Sequence, residues 1–369
     1  MSLVLYRKYR PQSFSEIIGQ EHIVKTLTNA ISSGMISHAY LFSGPRGTGK
    51  TTMARLLAKA VNCQDLKGFE SCNKCSSCKE IMNGQSMDLI EIDAASHRGI
   101  DDIRELRDGI RFAPNKLKYK VFIIDECHQL SKDAANALLK TLEEPPSHVI
   151  FILATTEVHK MIPTIISRCQ RFDFRKLRVE EIIERLERIV KAEKVKIEKA
   201  ALELIAIYSS GSIRDAESLL DQVLTFAGKS KGEIKADDIK NLLGLVEVEM
   251  VSNFVNLICQ KKTSEAIRFL NETLEKGIDV NELIKTIINY LRQGLIIKIT
   301  ETQENKNQIV AGLTQEEFQK LKKQVSGLKE EELQKILSLF LEASARVRYS
   351  PIPQLPIELA VIESIQSLG

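Results

Sequence analysis

Eight residues, Gly44-Pro45-Arg46-Gly47-Thr48-Gly49-Lys50-Thr51, constrain this chain more than any others. They spell Gly-x4-Gly-Lys-Thr. An apolar run, Ala39-Tyr40-Leu41-Phe42, leads straight into them, and an amphipathic stretch from Thr52 to Ala60 follows. A strand, a glycine-rich turn and a helix in that order curl the loop so that its amides and the helix N-terminus face a phosphate. Residues 44–52 are therefore the candidate ATP and Mg²⁺ contacts, with Lys50 reaching the β- and γ-phosphates and Thr51, beside Thr52, offering a hydroxyl to the metal. The bland alternative is a glycine-rich turn that matches by chance. It leaves the strand and helix on either side unexplained.

A second motif completes the chemistry. Val121-Phe122-Ile123-Ile124-Asp125-Glu126 is an apolar strand ending in two carboxylates. Asp125 is placed to hold magnesium, and Glu126 to position and activate the attacking water. An acidic pair at a strand end is weak evidence alone, because turns favour aspartate. No Asn-Lys-x-Asp guanine-reading motif is present, which favours ATP over GTP.

The rest of the first half repeats the same alternation. Leu89–Ile92 and Val149–Leu153 are further short apolar runs, with helical patterns between them. Continuous apolar strands separated by helices predict an α/β core with a parallel sheet covered on both faces. From about residue 178 strand signals stop. Residues 178–193, 198–209 and 212–226 carry apolar side chains at helical spacing, and 228–232 reads as a loop. The division expected is 1–177 for the α/β domain, 178–242 for a small helical domain and 243–369 for a further helical domain.

Composition narrows the field. Hydrophobic residues make up 43% and charged residues 27%, with a net charge of +3, so any nucleic acid must be held by a local patch rather than a global field. No run of 18 apolar residues suits a membrane span, and the N-terminus has no secretory pattern, so a cytoplasmic protein is expected. Four of the seven cysteines crowd into sixteen positions as Cys63-x8-Cys72-x2-Cys75-x2-Cys78. Four thiolates at Cys-x2-Cys spacing suit a closed, tetrahedral structural zinc site within about residues 61–80. An iron–sulfur cluster and free thiols remain as alternatives. Cys127, Cys169 and Cys259 read as buried small side chains.

With these residues in view, the chain resembles the tau/gamma family of bacterial DNA polymerase III clamp-loader subunits, which are AAA+ ATPases, over essentially its whole length. Tyr9-Arg10-Pro11-Gln12-Ser13-Phe14 and Ile18-Gly19-Gln20-Glu21 resemble the family's N-terminal segment, which implies that Tyr9 and Arg10 lie near the adenosine. Asp125-Glu126-Cys127-His128 matches its Walker B box, and the cysteine module after the P-loop helix resembles the bacterial loader's. By the same resemblance, Thr156 is the sensor 1 residue that orients the attacking water. Arg168, in Ser167-Arg168-Cys169, is an arginine finger acting in the neighbour's site. Arg214, in Gly211-Ser212-Ile213-Arg214-Asp215, is the sensor 2 contact to the γ-phosphate. Considered alone, either arginine is an ordinary surface salt bridge.

The resemblance implies a motor that binds ATP to open a sliding clamp and hydrolyses it on primed DNA. Its partners would be delta- and delta-prime-type subunits, copies of itself, the clamp and primer–template DNA held by its phosphates, with the last domain as an oligomerisation collar. The family's helicase- and polymerase-binding regions lie beyond position 369, so this sequence is expected to be the three-domain loader core. Arg98, Arg104, Lys140 and Lys160 are the candidate phosphate contacts, each an ordinary solvated charge when taken singly. Two other functions compete. A branch-migration helicase or related AAA+ translocase would share both Walker motifs but carry a winged-helix domain and no cysteine module. A non-enzymatic nucleotide-binding scaffold would not need Lys50, Asp125 and Glu126 intact.

Overall fold

Five segments, Ala39–Ser43 (β1), Leu89–Asp93 (β2), Lys120–Asp125 (β3), Val149–Thr155 (β4) and Gln170–Asp173 (β5), build one sheet in the order β2-β3-β4-β1-β5. Every pairing is parallel. Parallel strands need crossover connections, and helices on both faces bury them. Alternation then sorts the side chains. Tyr40, Phe42, Val121, Ile123, Ile150 and Ile152 share one core with Ile23, Leu27, Met53 and Leu57. Their neighbours Leu41, Phe122, Ile124, Phe151 and Leu153 share the other with Ala134, Leu138, Leu142 and Ile165.

The chain is described here from a computed structural model covering residues 4–96, 109–110, 112–227, 232–243, 248–300 and 315–368. Arg98 and Arg104 lie outside the described residues. The helices of the first half are α1 (Leu5–Lys8), α2 (Glu21–Ser33), α3 (Lys50–Val61), α4 (Ser76–Met82), α5 (Lys132–Glu143) and α6 (Pro163–Ile166). Next come α7 (Val179–Glu193), α8 (Lys199–Tyr208) and α9 (Ile213–Ala227), matching the helical spans read from the sequence to within a residue or two. Strand β5 was not foreseen. It is an edge strand in which only Phe172 is buried, so a four-residue segment carries one apolar signal.

The structure separates into two units, Met1–Ala236 and Asp237–Gly369, and the sheet and helices α1 to α9 all belong to the first. Helix α10 (Ala236–Leu243) begins at the division. The second unit is helical: α11 (Val248–Cys259), α12 (Thr263–Glu275), α13 (Val280–Ile299), α14 (Gln315–Ser326), α15 (Glu330–Val347) and α16 (Leu355–Ser367). Phe254, Leu270, Ile287, Tyr290, Phe340 and Val361 form its core. Tyr290 Oη donates to Gln324 Oε1 at 2.8 Å, and the Gln324 amide donates to Ser252 O at 3.0 Å, so these buried polar groups are satisfied in a chain.

Candidate active site

Strand order assembles the site. β1 lies between β4 and β5, and β4 separates it from β3, so the turns leaving β1, β3 and β4 open at one edge of the sheet. The chain must jump from β1 across two strands to β2, and such a switch leaves a crevice at the strands' carboxyl ends. The P-loop leaves β1, Asp125 closes β3, and Thr155 closes β4.

The loop needs its glycines. Gly44 has φ +146°, and a Cβ there would lie 2.3 Å from Phe174 O. Gly47 has φ +76°, and a Cβ there would lie 1.9 Å from Ser212 Oγ. Lys50 is 6% exposed and donates to Gly44 O at 2.7 Å and Pro45 O at 2.8 Å. Burial pushes its ammonium pKa down, while the charges of Glu126 and Asp125 pull the other way. Residues 46–52 line the cleft together with Asp125 and Glu126.

The two motifs from which hydrolysis is expected meet directly. Thr51 Oγ1 donates to Asp125 Oδ2 at 2.7 Å, although 74 positions separate them. Thr156 Oγ1 donates to Glu126 Oε2 at 2.9 Å, which puts the expected sensor 1 residue on the expected water-activating carboxylate. Glu126 itself sits at φ +47°, a left-handed conformation that costs a non-glycine residue energy and concentrates at functional sites. His128 Nδ1 lies 3.0 Å from Thr155 Oγ1 and 3.5 Å from Glu126 Oε2, so the neighbouring threonine steadies the same corner.

The small helical domain that follows β5 supplies the opposite wall. Ile213 N and Arg214 N both approach Gly47 O, at 3.1 and 3.5 Å, which seats the start of α9 on the P-loop. Arg214 lines the cleft, and its guanidinium carbon lies 5.0 Å from the Tyr6 ring centroid, within cation–π range. Arg10 also lines the cleft, and burial lowers its pKa. Tyr9 does not share that wall: its hydroxyl donates to Glu193 Oε1 at 2.8 Å, and the tyrosine that lines the cleft is Tyr6. Tyr6 lies inside α1, whereas Tyr9 caps its end at φ −100° and ψ 17°, off the helical conformation, so helical spacing does not carry Tyr9 onto the face of Tyr6.

Two cleft residues, Arg185 and Glu217, belong to no motif. Arg185 and Glu217 form an ion pair at 2.8 Å with side chains only 9% and 6% exposed, and Arg185 also donates to Tyr9 O. Burial pushes the Glu217 carboxyl up despite its partner. The sole sequence signal was a charge on an otherwise apolar face, Arg185 among Ile182, Leu186 and Ile189. Gln20, 1% exposed at φ +64°, donates to Arg175 O at 2.7 Å and accepts from Arg175 N at 3.1 Å, tying the cleft edge to the segment that joins β5 to α7.

Arg168 is absent from the cleft of its own chain. It donates to Thr164 O at 2.7 Å and pairs with Glu143 at 2.6 Å. Lys140 is exposed on α5, and Lys160 is paired with Glu157.

The cysteine module is built as spaced. The four Sγ atoms of Cys63, Cys72, Cys75 and Cys78 lie within 4.8 Å of one another, with Cys72 and Cys78 sulfurs 4.0 Å apart. A tetrahedral ion with metal–sulfur bonds of about 2.3 Å has sulfur–sulfur edges of roughly 3.8 Å, so the donor set fits one ion. Backbone amides of Lys74 and Cys75 point at Cys72 Sγ, which lowers its pKa to about 6, the thiolate form a metal needs. Cys75 caps α4 by accepting from Cys78 N, so a short helix holds two of the four ligands. Burial pushes the thiols of Cys63 and Cys78 up, as it does those of the isolated Cys127, Cys169 and Cys259, so it is the convergence of the four sulfurs and not their acidity that sets the module apart.

Comparison with known proteins bears on the same regions. Residues 19–178 match the family described as DNA polymerase III, delta subunit. Residues 181–229 match the DNA polymerase III clamp loader subunit ATPase lid domain, and 234–368 match domain III of DNA polymerase III subunits gamma and tau. The chain is 37% identical over 365 residues to DNA polymerase III subunit gamma of Buchnera aphidicola subsp. Schizaphis graminum, covering 99% of this chain and 98% of that protein. It is 45% identical over 363 residues to DNA polymerase III subunit tau of Bacillus subtilis, 98% of this chain and 63% of that one. For the Escherichia coli tau subunit the figures are 41% over 297 residues, 80% and 46%. The chain therefore spans about half to two-thirds of the length of these two tau relatives. Among solved structures, the Thermotoga maritima RuvB branch migration motor aligns with 73% of this chain and 86% of that one at 23% identity, with a TM-score of 0.49, too low to carry an inference.

Proposed function

Because the chain belongs to the gamma and tau family of DNA polymerase III subunits, we propose that it is the ATP-hydrolysing motor of a clamp loader. ATP binding closes the lid on the P-loop and organises a spiral of subunits that opens a ring-shaped sliding clamp. Hydrolysis on primed DNA then releases the clamp. One observation carries the proposal: the Thr51–Asp125 and Thr156–Glu126 pairs converge on one cleft whose far wall holds Arg214.

Each residue then has a task. Lys50 and the loop amides hold the β- and γ-phosphates; Thr51 and Asp125 would hold a magnesium ion, which would supply positive charge against the phosphate oxygens. Glu126, oriented by Thr156, takes a proton from the water attacking the γ-phosphorus. Arg214 contacts the γ-phosphate from the lid. Arg168, outside its own cleft, reaches the ATP of an adjacent subunit, so hydrolysis requires a correctly docked neighbour. The cysteine module binds a structural zinc, on the fit of its four thiols. The division at 177/178 and 242/243 into ATPase, lid and collar, the delta- and delta-prime-type partners, the DNA contacts at Lys140 and Lys160, and action in the cytoplasm belong to the same reading. No described helix is long and apolar enough to cross a membrane.

The test is ATP turnover by the assembled loader, with and without clamp and primed DNA. Arg168→Ala is expected to lower turnover by about 10³–10⁵-fold while leaving ATP affinity nearly unchanged, the signature of a finger that stabilises transition-state charge. Lost affinity would assign Arg168 to its own chain's fold, and absent turnover in the intact assembly would sink the motor reading.

A further inference from the structure

The cysteine module stands beside the nucleotide site in sequence, directly after the P-loop helix, but none of its residues lines the cleft. One of its side chains nevertheless reaches toward it. Between Cys63 and Cys72 the backbone makes a tight turn in which Lys67 and Glu70 exchange hydrogen bonds, Lys67 N to Glu70 O at 2.9 Å and Glu70 N to Lys67 O at 3.0 Å, around Gly68 at φ +65°. The turn projects the Glu70 carboxylate onto the N-terminal segment. There it accepts from Phe14 N (3.1 Å, Oε2) and from Ser15 N (2.8 Å, Oε1). A carboxylate accepting two backbone amides is a strong, directional clamp.

That segment is held at a second point. Lys59 on α3, 2% exposed, donates to Gln12 O at 2.6 Å, and Gln12 in turn donates to Arg10 O at 2.9 Å through its side-chain amide and to Glu16 Oε2 at 2.8 Å through its backbone. Immediately on either side of the clamped stretch are cleft residues: Arg10 and Pro11 before it, Glu16, Ile17 and Ile18 after it. The phosphate end of the cleft is taken by the P-loop, Asp125 and Glu126. Pro11, Ile17 and Ile18 make the wall away from that end largely apolar, the chemistry a purine ring packs against.

We propose that Glu70 is a positioning residue for nucleotide recognition, and that the cysteine module's task in this subunit is to fix, through that carboxylate, the wall that receives the base. The inference rests on the reading of the cleft as an ATP site. The module acts as a rigid bracket: its sulfurs set the turn at 67–70, the turn sets Glu70, and Glu70 sets the register of residues 14–18. None of the module's residues lines the cleft beside the P-loop, Asp125 and Glu126, so its influence belongs to the base and not to the triphosphate.

Direct binding titrations on the full chain separate the possibilities, with ATP, GTP and inorganic tripolyphosphate as probes. Glu70→Ala removes both acceptors and is expected to weaken ATP binding by roughly tenfold and to shrink the preference for ATP over GTP. Tripolyphosphate binding should stay within about twofold of the original. Glu70→Gln, which keeps one acceptor oxygen, should recover part of the loss and guards against a variant that fails to fold. Unchanged ATP affinity and base preference in both variants would overturn the proposal. So would an equal loss for ATP and tripolyphosphate, which would make the module a general stabiliser. Failure of the unaltered chain to bind ATP would instead overturn the nucleotide reading itself.

Discussion

Gly47→Ala tests whether the lid rests on the P-loop as described. The residue has φ +76°, and an alanine Cβ would lie 1.9 Å from Ser212 Oγ and 3.0 Å from Ser212 Cβ. The left-handed backbone alone costs a non-glycine residue about 1–2 kcal/mol. Overpacking adds about 1–3 kcal/mol. Ser212 can relieve part of the clash only by rotating its hydroxyl away from Asp215 N, which it accepts at 3.3 Å, and its Cβ stays too close in any rotamer. The single variant should therefore lose about 2–5 kcal/mol from the first unit. Ser212→Gly alone should cost only a few tenths, since glycine is tolerated where serine caps a helix. With that side chain gone, the next obstacle is Arg214 Cβ at 3.4 Å, an ordinary contact. The double variant should then recover the overpacking part, about 1–3 kcal/mol. Urea unfolding followed by circular dichroism reads this, taking the first unit's transition if the two units melt separately. Effects that add to within about 0.5 kcal/mol would mean that Gly47 and Ser212 do not touch, and the lid contact would have to be abandoned.

Three further outcomes are expected. Thr156→Val keeps the volume but deletes the bond to Glu126, and should cut turnover by about 10²-fold with ATP affinity nearly unchanged, because a misplaced catalytic group loses rate rather than binding; an unchanged turnover rate would remove Thr156 from the mechanism. Glu181, held by Arg175 and by Arg178, has its pKa lowered to about 2, so its contribution to stability is full above the ordinary 4.5 and is lost as pH falls from there towards 2. The stability gap between the unaltered chain and Glu181→Gln should accordingly be widest near neutrality and narrow through that window, and a gap independent of pH would contradict the assignment. Elemental analysis should find one zinc per chain, lost in Cys72→Ser together with part of the thermal stability, whereas a visible iron–sulfur absorbance would show that the four thiols hold something else.

The sequence determined whatever depends on local chemistry. A strand, a glycine-rich turn and a helix fix a phosphate loop whatever surrounds them, so residues 44–52 were legible. Cys-x2-Cys spacing likewise places two sulfurs within one ion's reach, and four apolar runs gave four of the five strands. Tertiary structure decided everything that joins distant segments. Only the strand order β2-β3-β4-β1-β5 brings Thr51 to Asp125 and Thr156 to Glu126. Tyr6 faces the cleft while Tyr9 faces Glu193 because the short helix stops at Lys8 and Tyr9 leaves its spacing, and no motif records where a four-residue helix ends. Arg185 and Glu217, or Glu70 and the amides of Phe14 and Ser15, are partners across long stretches of chain. Their pairing is settled by how helices and turns pack around the sheet. One residue type at one position cannot encode its partner, and the nucleotide cleft is made mostly of such partners.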